Sequence, residues 1–174
     1  MSFLGDLINK YRELIIKVLR LSVNCCGDDC IMRVLDVTRL RDINCGVYGL
    51  MIDRAQVGEL LRRPSIIKLL LDRGINKLIT YPCIDQGLIR FLERLGFTVI
   101  NYITGDECVV TREVVTHLNA YKVIDLARRG VVVYVHLYRP YIRRGQYDAV
   151  SLFDTAFEYL ARGNVKIHLI LDST

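Results

Sequence analysis

Apolar positions in this chain follow two periods. Between residues 3 and 22, Leu4, Leu7, Ile8, Tyr11, Leu14, Ile15, Val18 and Leu19 recur every three or four residues. That stripe predicts one amphipathic helix over about 3–22. Residues 31–37 (IMRVLDV) and 47–52 (VYGLMI) are apolar runs that predict strands. A unit then repeats: a helix stopped by glycine, followed by a short strand. One helix ends at Gly74 before a strand at 77–81, and another, 88–95, ends at Gly96 before a strand at 98–103. A third helix, with Val114, Leu118, Tyr121 and Ile124 on one face, ends at Gly130 before a strand at 131–138. The fourth, 151–162, ends at Gly163 before a strand at 166–171. Glycine suits the left-handed position just past a helix.

Helix–glycine–strand units in series argue for parallel strands joined by crossover helices. An open doubly wound sheet and a barrel both fit, and side-chain alternation favours the barrel. On 131–139 one parity is Val133, Val135 and Leu137 and the other Tyr134, His136 and Tyr138. On 166–172 the parities are Ile167, Leu169, Leu171 and Lys166, His168, Asp172. One apolar and one semi-polar face suit a barrel with helices outside. The expectation is a single α/β domain over 1–174: a parallel β/α-barrel-like fold, a shortened TIM-type barrel of about six strands.

Composition changes the picture mainly through charge. The chain has 174 residues, 52% of them hydrophobic, with three prolines, which suits a folded domain. No run reaches the roughly 18 to 20 uncharged apolar residues of a membrane span. Asp6, Lys10, Arg12, Glu13, Lys17 and Arg20 interrupt the N-terminal apolar stretch, so a signal peptide is not expected and a cytoplasmic protein is. Formal charge is +5: residues 112–145 hold seven Lys/Arg against two Asp/Glu, and the remainder has seventeen of each. Within that stretch Arg128 and Arg129 close a helix, and the segment RPYIRRG follows the strand. Cations interleaved with Tyr134, Tyr138, Tyr141 and Tyr147 suit an anionic backbone with exposed bases or sugars. The plain alternative is a solvated charged face.

Motifs that announce chemistry are missing. There is no phosphate-binding glycine loop, no nucleophile elbow and no Cys-x-x-Cys pair. The six cysteines are expected to be free and mostly buried, with intrachain disulfides the next reading and a zinc site the last. His136 and His168 could meet on neighbouring strands, with Asp172 two pleats along, as a general acid–base pair or simply as polar lining of a small barrel. Cys83 stands at a strand end in TYPCID, where β/α folds place catalytic groups, but no base accompanies it. No catalytic or metal-binding residue is therefore assigned.

Residues 47–174 resemble the thirty-kilodalton protein subunit of archaeal and eukaryotic ribonuclease P. The likeness is carried by YGLMI at 48–52, KLITYP at 77–82, FLERLGFTVINY at 91–102, HLNAYKVIDLARRGVVVYVHLYRPYIRRG at 117–145 and FDTAFEYLARGNVKIHLILDST at 153–174. Departures are Val135 or His136 where the family has an acidic residue, an Asp172-Ser173-Thr174 ending, and a helix in place of the family's first strand. The resemblance implies a barrel-like protein that does no bond chemistry itself. It also implies partners: the ribonuclease P RNA with its precursor tRNA, and a small ferredoxin-like subunit. No cofactor is expected in this chain, and the metal ions are expected on the RNA.

On this reading Arg139, Arg143 and Arg144 contact phosphates, with Arg128 and Arg129 adjacent. Tyr138 or Tyr141 packs on sugars or bases. The protein partner is expected on the N-terminal helix or an uncovered barrel edge. Two alternatives stand beside it. One is a small α/β enzyme of the amino-acid racemase and isomerase type using Cys83 or the His136–His168 pair. The other is a structural subunit of tRNA-splicing endonuclease, which LIRFLERLG and YKVIDLARRGVVV resemble in helix–strand pattern.

Overall fold

The computed structural model describes residues 3–138 and 147–173. Eight parallel strands form a closed barrel. They are β1 (Ile15–Ser22), β2 (Gly27–Arg33), β3 (Val47–Ile52), β4 (Lys77–Thr80), β5 (Thr98–Tyr102), β6 (Glu113–His117), β7 (Val132–Tyr138) and β8 (Ile167–Asp172). Each pairs with the next, and β8 closes on β1 with Leu19 opposite Ile170. The helices are α1 (Phe3–Lys10), α2 (Arg54–Leu61), α3 (Pro64–Asp72), α4 (Gln86–Leu95), α5 (Ala120–Arg128) and α6 (Tyr147–Arg162).

The barrel is confirmed, but the strand count is eight rather than about six. Two strands lie inside stretches that read as helix. The stripe at 3–22 is helical only to Lys10, makes a 3-10 turn at Arg12–Leu14, and continues as β1. Ile15, Val18 and Leu19 fit a period of three to four, yet they belong to IIKVLRLS, where Leu19 and Leu21 are buried and Arg20 between them is exposed. Burial on alternate residues decided for the strand. Likewise Val114 lies on β6, and the third helix begins only at Ala120, capped by the Asn119 side chain. The strand expected at 31–37 starts earlier, at Gly27, and gives way to a 3-10 turn over Val37–Asp42.

Eight strands in so short a chain leave little for connections, where barrels of this type usually need about 250 residues. Only residues 23–26 join β1 to β2, and the segment between β5 and β6 contains no helix. No helix separates β1 from β2, and Ile16 on β1 is 56% exposed. Elsewhere the alternation holds. Leu19, Leu21, Ile31, Met51, Ile79, Ile100, Val115 and Ile170 fill the interior. Val133, Val135 and Leu137 face outward with Leu126 of α5 and Phe157 and Leu160 of α6. α1 packs on the barrel: Leu7 and Tyr11 are buried, Tyr11 stacks on Phe157 and its hydroxyl donates to Asp154 at 2.8 Å. The strands close on one another, so the sheet has no unpaired edge.

The cysteines correct a second expectation. All six are paired, as Cys25–Cys30, Cys26–Cys45 and Cys83–Cys108. The first two clamp the short β1–β2 return, where a crossover helix has no room. The third ties the β4–α4 connection to the β5–β6 connection.

Candidate functional site

Parallel barrel strands all end at one rim, and alternate side chains there point inward. The last residues of five strands are Arg33, Tyr102, His117, Tyr138 and Asp172. With Met51, Tyr81 and His136 they line a cavity of about 210 Å³. Buried Asp172 organises it. Its Oδ2 accepts from His136 Nε2 at 2.9 Å and from Arg33 Nη2 at 3.2 Å. A carboxylate only accepts, so Nε2 carries a proton, while Nδ1 on the other side of the ring is hydrogen-bonded with the Tyr102 hydroxyl at 2.6 Å. The Tyr102 oxygen is 3.1 Å from His117 Nδ1 and can accept from it. Burial raises the Tyr102 pKa, which keeps the hydroxyl protonated. Burial, and then His136, lowers the pKa of His117. The result is a continuous hydrogen-bonded chain from a buried carboxylate to an exposed imidazole at the mouth.

A buried asparagine holds the neighbouring loops in place. Asn101 Oδ1 accepts from Thr80 Oγ1 at 2.7 Å and Ile84 N at 2.9 Å, while Nδ2 donates to Ile84 O and Val109 O. These bonds join the connections after β4 and β5, the same two that Cys83–Cys108 links.

A second polar network fills the other end of the barrel. Tyr134 donates to Glu113 Oε1 at 2.6 Å and receives the Tyr48 hydroxyl at 2.6 Å. Lys77 reaches Glu113 at 3.4 Å, and Lys17 and Lys77 lie over the Tyr48 ring. His168 stacks on Tyr134, 4.4 Å between centroids, and burial lowers its pKa. The expected His136–His168 pair is therefore not formed. β7 and β8 are neighbours, but their register sets Tyr134 opposite His168 and His136 opposite Ile170. The two histidines belong to different networks.

No protein-family model, curated protein or solved structure matches the chain. The site is therefore argued from its own geometry.

Of the residues expected to bind RNA, Tyr138 lies on the mouth cavity and is 39% exposed. Arg139, Tyr141, Arg143 and Arg144 fall outside the described residues. Arg128 and Arg129 are exposed at the end of α5. They precede β7 whereas Tyr138 ends it, so the length of the strand, about 20 Å, separates them from the mouth. Arg129 also pairs with Asp125 at 3.6 Å. Among the described residues, Arg128 and Arg129 thus lie at the opposite end of β7 from Tyr138. Cys83 is no thiol nucleophile here, being bonded to Cys108. Among the described residues the one group with metal-ligand spacing is Cys83, Glu107 and Cys108, and its sulfurs are spent on each other. No helix among them is long and apolar enough to cross a membrane.

Sequence reasoning singled out His136 and Asp172 but missed Tyr102, His117 and Arg33. Their common signal is position: each is the last residue of a strand, in the parity that faces inward. With β6 unrecognised and β2 shifted, two of the three could not be placed.

The opposite rim shows a pattern of its own. Arg12, Arg73, Arg94, Arg112, Arg128 and Lys166 stand just before β1, β4, β5, β6, β7 and β8. All six are exposed, and none makes an ion pair among the described residues.

Proposed function

We propose that this protein is an RNA-associated subunit of ribonuclease P type, supporting removal of the 5′ leader from precursor tRNA while the RNA performs the reaction. The observation that carries the reading is the arc of cations on the strand-start rim. Six consecutive strands, β4 through β8 and on to β1, each begin beside one exposed Lys or Arg without a carboxylate partner. Helix dipoles account for cations in a last helical turn, such as Arg94 and Arg128. They do not account for Arg112 or Lys166, which lie outside any helix. Cations spaced around a rim and left without carboxylates match a phosphate backbone, whose neutralisation releases counterions. The likeness of residues 47–174 to the ribonuclease P subunit supports the same reading. The closed barrel of eight strands supports it too, since β1 is a strand where the resemblance left only a helix.

Purifying the tagged chain from its native cells and sequencing the RNA retained at low salt tests it. A single structured RNA together with precursor tRNA is the expected result. Recovery of no RNA ends the reading.

A further inference from the structure

We propose that the mouth cavity is a nucleobase site, taking one unstacked base of a single-stranded RNA segment against the rings of Tyr81 and Tyr138. The proposal rests on the RNA reading and assigns a second kind of contact to it, at the end of the barrel opposite the cationic rim.

Shape comes first. Sites for drug-sized ligands run to roughly 300–1,000 Å³, and a cavity of about 210 Å³ suits a single flat ring system. Its walls are flat groups too: Tyr81, Tyr102, Tyr138, His117 and His136, with Met51 as the aliphatic member. Tyr81 and Tyr138 are 41% and 39% exposed, so part of each side chain's surface is accessible at a concave place. Successive bases stack on such surfaces whatever their identity.

Chemistry then chooses between a base and a phosphate. Arg33 and Asp172 form an ion pair whose charges cancel. The other titratable groups facing the two imidazoles are Tyr81, Tyr102 and Tyr138, and burial keeps His117 toward its neutral form. Among the described residues the lining carries no net charge and has little to offer a dianion. It does offer hydrogen-bond edges to a neutral heterocycle: the Tyr102 hydroxyl, the ring nitrogens of His117, and the guanidinium of Arg33. Arg33 Nε is buried and has no hydrogen-bond partner among the described residues. Recognition of splayed-out bases by aromatic rings and side-chain hydrogen bonds is the usual way single-stranded RNA is read.

The test titrates the four nucleoside 5′-monophosphates, ribose 5-phosphate and inorganic phosphate into the full chain by calorimetry. The imidazole resonances of His117 and His136 are followed by NMR alongside. At least one nucleotide should bind and shift both histidines, with ribose 5-phosphate weaker by tenfold or more. Tyr138→Ala and Tyr81→Ala should each weaken the nucleotide by roughly 5- to 150-fold, the loss of one stacking contact, and Tyr138→Phe should retain it. Should Tyr81→Ala fail to fold, the Tyr138 pair decides. No binding by any nucleotide at millimolar concentration overturns the proposal. Equal binding of ribose 5-phosphate makes this an oxyanion site and overturns it as well. A chain that retains RNA yet ignores nucleotides sinks the pocket alone, whereas nucleotide binding without RNA retention sinks the function reading alone.

Discussion

Asp172 Oδ2 lies 2.9 Å from His136 Nε2, and so joins the last residue of β8 to the middle of β7. The same oxygen takes Arg33 Nη2 from β2 at 3.2 Å, across β1. One carboxylate thus holds a proton on Nε2, aims the ring's other nitrogen at Tyr102, and ties β2, β7 and β8 together at the mouth. Asp172→Ala would leave a half-buried guanidinium and a ring N–H without their acceptor. A loss of about 3 kcal/mol is expected in urea unfolding at pH 7. Asp172→Asn keeps the shape and one acceptor oxygen and should lose less. A cost under about 1 kcal/mol for the alanine variant would show that Asp172 does not organise the site.

The Cys83–Cys108 bond closes a loop over a sequence separation of 25. Loop-closure entropy of the unfolded chain puts its contribution at about 3 kcal/mol. The Cys83→Ser, Cys108→Ser double variant should lose that much while the Asn101 bonds still hold the two connections together. Thiol titration of the denatured, unreduced protein should find no free cysteine. Stoichiometric thiol at Cys83 would reopen the nucleophile reading.

Why did some of this structure show in the sequence and some not? β7 and β8 were legible because barrel interiors are polar enough at the ends for alternation to survive: Tyr134, His136 and Tyr138 against Val133, Val135 and Leu137. The helix ends were legible because Gly96 and Gly130 have positive φ, 112° and 82°, which a residue with a Cβ adopts at a cost. β1 was not, since Leu14, Ile15, Val18 and Leu19 satisfy both periods and only closure on β8 decides between them. β6 was hidden because it spans just Glu113–His117 and no helix precedes it to announce the unit. The site followed the strands. His136 and Asp172 could be named, but their partner at the mouth, Tyr102, comes from β5 on the far side of β6, a relation that exists only once the barrel closes. The cysteines were misread because pairing depends on the β1–β2 return, which periodicity does not describe.

Asn101 makes a stability prediction with a simple sign. Its side chain has four hydrogen bonds in a buried setting. Asn101→Ala leaves Ile84 N, Ile84 O and Val109 O to find other partners and should cost about 2–4 kcal/mol. Asn101→Asp sets a second acceptor against the Ile84 and Val109 carbonyls in a buried place and should cost at least as much as alanine. A change within about 0.5 kcal/mol in chemical denaturation would remove the residue from the account of how these loops are placed.

His168 predicts the direction of a pH dependence. Its folded pKa is below the ordinary 6.5, through burial first and the neighbouring lysines after that. Above pH 6.5 folded and unfolded chains both hold the neutral ring, and the group adds no slope. Below 6.5 the unfolded chain takes the proton first, so stability falls with pH until the folded site also protonates. His117, lowered in the same direction, adds to the slope. The midpoint of thermal unfolding should therefore drop from pH 7 to pH 5, and His168→Gln should flatten the drop. An equal slope in the variant would assign acid lability elsewhere.

The two ends of the barrel make separable predictions for RNA. If the strand-start rim holds the backbone, Arg112, Arg128 and Lys166 replaced together by Ala should weaken binding uniformly across RNA sequences. The slope of log affinity against log salt should flatten by about two to three, at 0.7 to 0.9 per phosphate contact. Replacing Arg139, Arg143 and Arg144 by Ala should flatten it by about the same amount if the segment after Tyr138 also touches phosphate. The first set stands at strand starts and the second follows β7 in sequence; if they act independently, their effects should add. A triple variant at one end that changes neither affinity nor slope removes that end from the interface. Both variants doing nothing would mean that neither set holds a polyanion, and the RNA reading would lose the observation it stands on.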